Sequence, residues 1–219
     1  MHFLVTAGAT REPLDAVRFL SNVSTGSTGA ALADALAVRG HTVTLLRGEG
    51  ATQPHLVQDV DTFSSTADLE MLLRERLAIG AVNAVVMTAA VSDYRPEQTR
   101  DDKITSDAES LTVRLVRNPK LLPQLKSFSP RPLAVIGFKL TVGADDHARR
   151  AAVAAQFATG TVDATVQNDL VEIRHAPVHP FWLYRSADAT PQAISGTVAL
   201  AAAVDAAAAD ILDQLTPQA

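Results

Sequence analysis

The sequence predicts an α/β fold: a Rossmann-like, mainly parallel sheet with helices on both faces and a small hairpin at one edge. Three observations predict it. Short apolar, β-branched runs alternate with helical patterns along the chain. The runs AVVM and LAVIGF are apolar without interruption, as strands covered on both sides are. Hydrophobic residues make up 47% of the 219, enough to bury one sizeable core. A single domain over residues 1–219 is therefore expected.

In chain order, HFLVTA (2–7) reads as the first strand, and an alanine-rich helical pattern follows at 27–39, closed by Gly40 where a glycine past the last turn belongs. TVTLLRG (42–48) and LVQDVDTF (56–63) are strands, and 66–79 a helix. NAVVMTAA (83–90) is a buried strand that gives way to a long polar connection at 91–110, a length usually tied to function or disorder. LTVRLV (111–116) reads as a strand, RNPKLL opens a helix at 119–127, PLAVIGF (132–138) is a strand, and a helix follows at 144–159. After the strand DATVQN (163–168), VEIRH and FWLYR flank APVHP and read as the edge hairpin. The alanine runs near the end support a helix at 197–215.

Composition removes several functions. Without cysteine there are no disulfides, no thiolate nucleophile and no sulfur-ligated metal. A formal charge of −5 argues against nucleic acid as a partner, and no apolar run approaches 18 residues, so no membrane partner is expected and the protein is read as cytoplasmic. The charge is uneven. All four lysines fall between 103 and 139, where seven basic side chains face two acidic ones, an island suited to a small polyanion such as a nucleoside triphosphate.

Three stretches can carry chemistry. In VRFLSNVSTGSTG, Gly26 and Gly29 stand at a helix start, where unpaired N–H groups and the positive end of the dipole attract anions. Too many residues separate the first strand from these glycines for a dinucleotide fingerprint, and there is no P-loop, so tight packing explains them equally well. In RNPKLL, Asn118 suits an N-cap, Pro119 the first helical position, and the amides of Lys120 and Leu121 would point outward; a plain helix start has the same letters. In TAAVSDYRP, at the end of a buried strand, Asp93 suits either a metal or hydroxyl contact or an ordinary turn. His175 and His179 are four apart, but Pro177 denies them a shared helix face and a metal site with it.

Together these stretches resemble the phosphopantothenate–cysteine ligase (phosphopantothenoylcysteine synthetase) family. VTAGATREPLDAVRFLSNVSTGSTG carries most of the likeness, with TAAVSDYRP, DDKI, RNPKLL, IGFKL and QNDL following in the family's order. The resemblance implies a ligase that activates the carboxylate of 4′-phosphopantothenate as an acyl nucleotidylate and transfers it to L-cysteine, with Mg²⁺ and CTP or ATP as co-substrate. It implies that Gly8, Ser24, Gly26 and Gly29 line a nucleoside pocket, with Phe138 packing on the base and Asn168 beside it. Asn22, Asp93 and the backbone of Ala89 and Ala90 would meet the activated carboxyl; Lys103 would serve formation of the acyl intermediate, with Arg18 a nearby anion-binding group. Asn118, Pro119, Lys120 and Leu121 would cradle phosphates, with Lys139 adding charge. It further implies a homodimer, and a ligase standing alone without the flavin-bearing decarboxylase that many bacterial members carry upstream.

The chain also departs from the pattern. KITS leaves Lys103 without the lysines that usually follow, and HARRAAVAAQFA keeps Arg149 and Arg150 but has alanines beyond. A non-catalytic nucleotide-binding relative is one alternative. An NAD(P)-dependent reductase is another, but neither Tyr94 nor Tyr184 has a lysine four residues on.

Overall fold

The computed structural model describes residues 1–215. The elements run β1 (His2–Ala7), β2 (Arg11–Pro13), β3 (Phe19–Ser21), α1 (Ser27–Val38), β4 (Thr42–Gly48), β5 (Asp59–Phe63), α2 (Thr66–Ala78), β6 (Ala84–Met87), β7 (Tyr94–Pro96), β8 (Leu115–Arg117), α3 (Leu125–Phe128), β9 (Ala134–Thr141), α4 (Asp146–Phe157), β10 (Ala164–Asp169), α5 (Leu170–His175), β11 (Pro180–Tyr184), β12 (Gln192–Ser195) and α6 (Thr197–Leu215). Eight strands form one sheet in the order β12-β11-β10-β9-β6-β1-β4-β5. Six of them are parallel, and β11 and β12 close one edge antiparallel.

Alternation along each strand sends successive side chains to opposite faces. Phe3, Val5, Ile136 and Val166 meet Leu32 and Leu36 of α1 and Leu200, Val204 and Ile211 of α6 on one face. Leu4, Val85 and Val135 meet Leu69, Leu73 and Leu77 of α2 on the other. Those three leucines recur every fourth residue and are fully buried. Burying each stabilises the fold by about 1.5–3 kcal/mol. Ser65 starts α2 with a reciprocal cap: its side chain accepts from the Asp68 amide while Asp68 accepts from the Ser65 amide. No described helix is long and apolar enough to cross a membrane.

Three readings are corrected. VEIRH is not a strand: the Asp169 carboxylate accepts from the Val171 amide and caps α5 instead, so the edge hairpin pairs FWLYR with residues 192–195. The helix expected at 119–127 begins later, as a 3-10 turn at Leu122–Gln124 running into α3, so Asn118 caps nothing. Residues 111–116 do not join the large sheet, since among the described residues β8 pairs only with β7. The connection at 91–110 is thereby the outer part of an antiparallel ribbon, beside a second ribbon made by β2 and β3.

Candidate active site

The parallel strands run outward from β1 through β4 to β5, then return to the other side of β1 with β6, β9 and β10. Beyond the carboxyl ends at such a reversal the connections diverge and leave a crevice. Here it is a cleft of ≈ 840 Å³.

One wall is the start of α1. Gly26 has φ 74°, a left-handed conformation, and a Cβ there would stand 2.9 Å from the Gly8 amide nitrogen. Only glycine allows both. Gly26 has no side chain with which to cap α1; the Ser27 amide turns back to Thr25 Oγ1 at 3.4 Å, and among the described residues the Thr28 and Gly29 amides have no acceptor and stay open to the cleft. Gly29 lets the helix settle on β1, where a Cβ would fall 2.6 Å from that of Ala7.

The second wall follows β6. The Ala90 amide donates to Gly8 O at 2.8 Å, and the Ser92 amide to Thr10 Oγ1 at 2.9 Å. Asn22 reaches across, its Nδ2 3.4 Å from Val91 O. Asp93 pairs with Lys120 at 2.5 Å, both side chains largely exposed. The far wall is Phe138 and Lys139 of β9, Asn168 of β10 and the inner face of α4, where Gln156 Nε2 donates to Phe138 O at 3.0 Å.

Residues 1–176 match the model of the DNA/pantothenate metabolism flavoprotein C-terminal domain family. The chain belongs to this family. It is 36% identical to the coenzyme A biosynthesis bifunctional protein CoaBC of Mycolicibacterium smegmatis over 229 residues, 96% of this chain and 53% of that one. With the CoaBC protein of Escherichia coli K12 the identity is 35% over 155 residues, 68% of this chain and 37% of that one. The chain thus spans about half the length of these curated relatives, or less. Its fold matches the DNA/pantothenate metabolism flavoprotein of Streptococcus pneumoniae with a TM-score of 0.83 at 24% identity, covering 94% of this chain and 97% of that one. A Cab2 variant in complex with phosphopantothenate-cysteine matches with 0.82 at 18% identity, covering 97% and 88%.

Of the residues that the family resemblance nominated, Asn22, Ser24, Gly26, Gly29, Ala89, Ala90, Asp93, Pro119, Lys120, Leu121, Phe138, Lys139 and Asn168 all line the one cleft. Gly8 lies behind Gly26 as packing. Asn118 is a buried bracket: Nδ2 donates to Ser92 O at 3.0 Å and to Thr66 Oγ1 at 3.2 Å, and Oδ1 accepts from Arg95 at 3.0 Å. Arg18 and Lys103 are outside the lining. Arg18 donates to Asp15 and to Ile104 O, both at 3.3 Å, and Asp15 accepts from the Ile104 amide at 3.1 Å, so the hairpin of β2 and β3 grips the chain beside exposed Lys103. Burial alone would push the Asp15 carboxyl up, but N–H donors from Val17, Ile104 and Arg18 and the Arg18 charge hold it below its ordinary 3.8.

Arg149, kept where the family's later lysines are missing, bonds Ala144 O and pairs with Glu172 at 2.6 Å. The α4 face toward the cleft carries Ala152 and Ala155 instead. Lys120 and Lys139 are the cations lining the cleft among the described residues. Sequence reasoning missed Thr88, Ser92, Gln156 and Thr159, all of which line it. Gln156, the one amide in an alanine-rich helix, was the signal available. Among the described residues no group of three or more His, Asp or Glu could hold a metal, and Asp93 is the one acid in the lining. The residues present do not fit a protein-bound divalent ion.

Proposed function

We propose that the chain is a phosphopantothenate–cysteine ligase of coenzyme A biosynthesis, taking CTP or ATP. Family membership supports this, but one observation carries it. A single cleft joins an uncapped helix start, an aromatic wall and a carboxyl-facing group made of Asn22 and the Ala89–Ala90 backbone.

A carboxylate resists amide formation because its leaving group would be oxide. In the first step its oxygen attacks the α-phosphorus, the bond from that phosphorus to the bridging oxygen breaks, and pyrophosphate leaves. In the second the cysteine amine attacks the acyl carbon, nucleoside monophosphate leaves with the carboxyl oxygen, and the amine loses a proton. The chain's task is to hold two anions together and stabilise charge at the acyl centre. Phe138 would hold the base, and the amides of α1 with Lys120 and Lys139 the phosphates. Asn22 Nδ2 would donate to the acyl oxygen. Lys103, on its gripped strap, would close over the phosphates. Mg²⁺ would arrive on the triphosphate.

The test mixes the protein with phosphopantothenate, cysteine, Mg²⁺ and each NTP in turn, and follows pyrophosphate. Release with CTP or ATP that depends on phosphopantothenate is expected; none with any NTP overturns the reading. Lys103→Ala should slow formation of the acyl nucleotidylate. Asn22→Asp should slow its use by about 100-fold, the scale of losing one transition-state donor. Unchanged turnover in both removes the site assignment. The same reading includes a homodimer: exposed Phe19, Leu20, Tyr94 and Leu115 give the two neighbouring ribbons an apolar surface. A single 23.1 kDa species in sedimentation would refute it.

A further inference from the structure

Behind the aromatic wall stands a histidine that neither the ligase chemistry nor a metal employs. His179, just before β11, stacks on Phe181 with ring centroids 4.1 Å apart and planes 12° from parallel. Phe181 in turn meets Phe138 edge-on at 6.5 Å and 75°. Stacking fixes the plane of the imidazole. In that plane, His179 Nε2 lies 3.0 Å from Asn168 Nδ2. An amide nitrogen can only donate, so Nε2 is the bare acceptor and the ring proton sits on Nδ1. Burial keeps the imidazole below its ordinary 6.5 and so neutral at pH 7.

With Nδ2 engaged, the other half of the Asn168 amide is determined. Its Oδ1 has no protein partner among the described residues, yet is not sealed from solvent, and the opening that Asn168 lines is the cleft beside Phe138. We infer that His179 locks the Asn168 amide so that its oxygen, not its nitrogen, meets the edge of a bound nucleobase. The site then selects bases with an exocyclic amine over their oxo counterparts. The N4 amine of cytosine and the N6 amine of adenine donate to this oxygen, whereas O4 of uracil and O6 of hypoxanthine would face it oxygen to oxygen. His179 is thus a positioning residue, acting through Asn168. The inference rests on the proposed nucleotide-dependent ligase and deepens it.

Calorimetry of the full chain with CTP, UTP, ATP and ITP, each with Mg²⁺, tests it without requiring turnover. The wild type should bind CTP over UTP and ATP over ITP. In His179→Phe, which keeps a ring to stack on Phe181 but has no acceptor, both ratios should fall about tenfold, the loss of one directed hydrogen bond. His179→Gln, whose side-chain oxygen can accept from Asn168, should recover part of the ratio. Nitrogen-15 NMR of the wild type should find Nε2 unprotonated, a readout independent of how either variant folds. Unchanged ratios in folded His179→Phe, no amine preference in the wild type, or a protonated Nε2 would each overturn the inference. Amine-selective binding without ligation would sink the ligase and leave this standing; ligation without amine preference would do the reverse.

Discussion

Gly29→Ala sets two rules against each other. Helix propensity alone says that replacing a glycine inside α1 gains about 1 kcal/mol. Packing says the opposite. The new Cβ would lie 2.4 Å from Thr88 Oγ1, 2.6 Å from Ala7 Cβ and 3.1 Å from Thr6 O. None of these is a loose end, for Ala7 is fully buried and Thr88 Oγ1 donates to Thr6 O at 2.5 Å. Forcing a methyl into a filled core costs about 1–3 kcal/mol. Displacing the Thr88 hydroxyl forfeits about 0.5–1.5 kcal/mol more. The net loss is about 0.5–3.5 kcal/mol, and each kcal/mol lowers the melting midpoint of a chain this size by about 2–4 °C. Urea denaturation of the variant measures it, beside Gly40→Ala as control. There φ is +86° and nothing lies within 4 Å, so backbone strain alone should cost about 1 kcal/mol. The KM for nucleotide should rise in Gly29→Ala as α1 lifts from β1. A Gly29→Ala protein as stable as wild type, or more so, would refute the seating of α1 on the strand.

Asn118→Ala removes two donated bonds and the acceptor for Arg95 at an 8% exposed position, so urea denaturation should find a loss of about 2–4 kcal/mol. A loss under about 0.5 kcal/mol would mean that the bracket between Thr66 and Ser92 is redundant. The grip of Asp15 on the strap should depend on acid. Its folded value lies below the unfolded one, so the contribution is complete above the unfolded value near 3.8 and disappears as pH falls through the folded value. Hydrogen exchange at the Ile104 amide should accelerate over that fall in wild type and lose the step in Asp15→Asn. An identical profile in both would assign the strap to other contacts.

The large sheet was legible because its strands are buried on both faces, and 2–7 and 42–48 coincide with β1 and β4. The ribbons were not. Strands of three residues, such as β2 or β7, hold too few side chains to express a period, and β7 meets its partner β8 only after a long polar connection. VEIRH has strand-forming letters, but the capping carboxylate of Asp169, two residues before it, decided otherwise. In the cleft, glycines and small residues were readable from motifs, since their spacing is local. Asn118 misled because Asn-Pro is a helix-start signal, and its true partners, Thr66 and Ser92, are 52 and 26 residues away. His179 was visible only as half of a failed metal pair; its role needs β10 and β11 brought into register, Gln167 opposite Trp182.

The last helix lines no part of the cleft, yet it braces the first. α6 packs on α1 through the same apolar layer, and Asp205 takes the Arg39 guanidinium at 2.6 Å just past the end of α1. A polyanion seated on the open amides at one end of α1 therefore also favours every state in which its opposite end is tethered. Occupancy and the melting of residues 197–215 are linked quantities: saturating nucleotide should slow solvent exchange in a segment remote from the mouth, and fraying that segment should weaken capture at it.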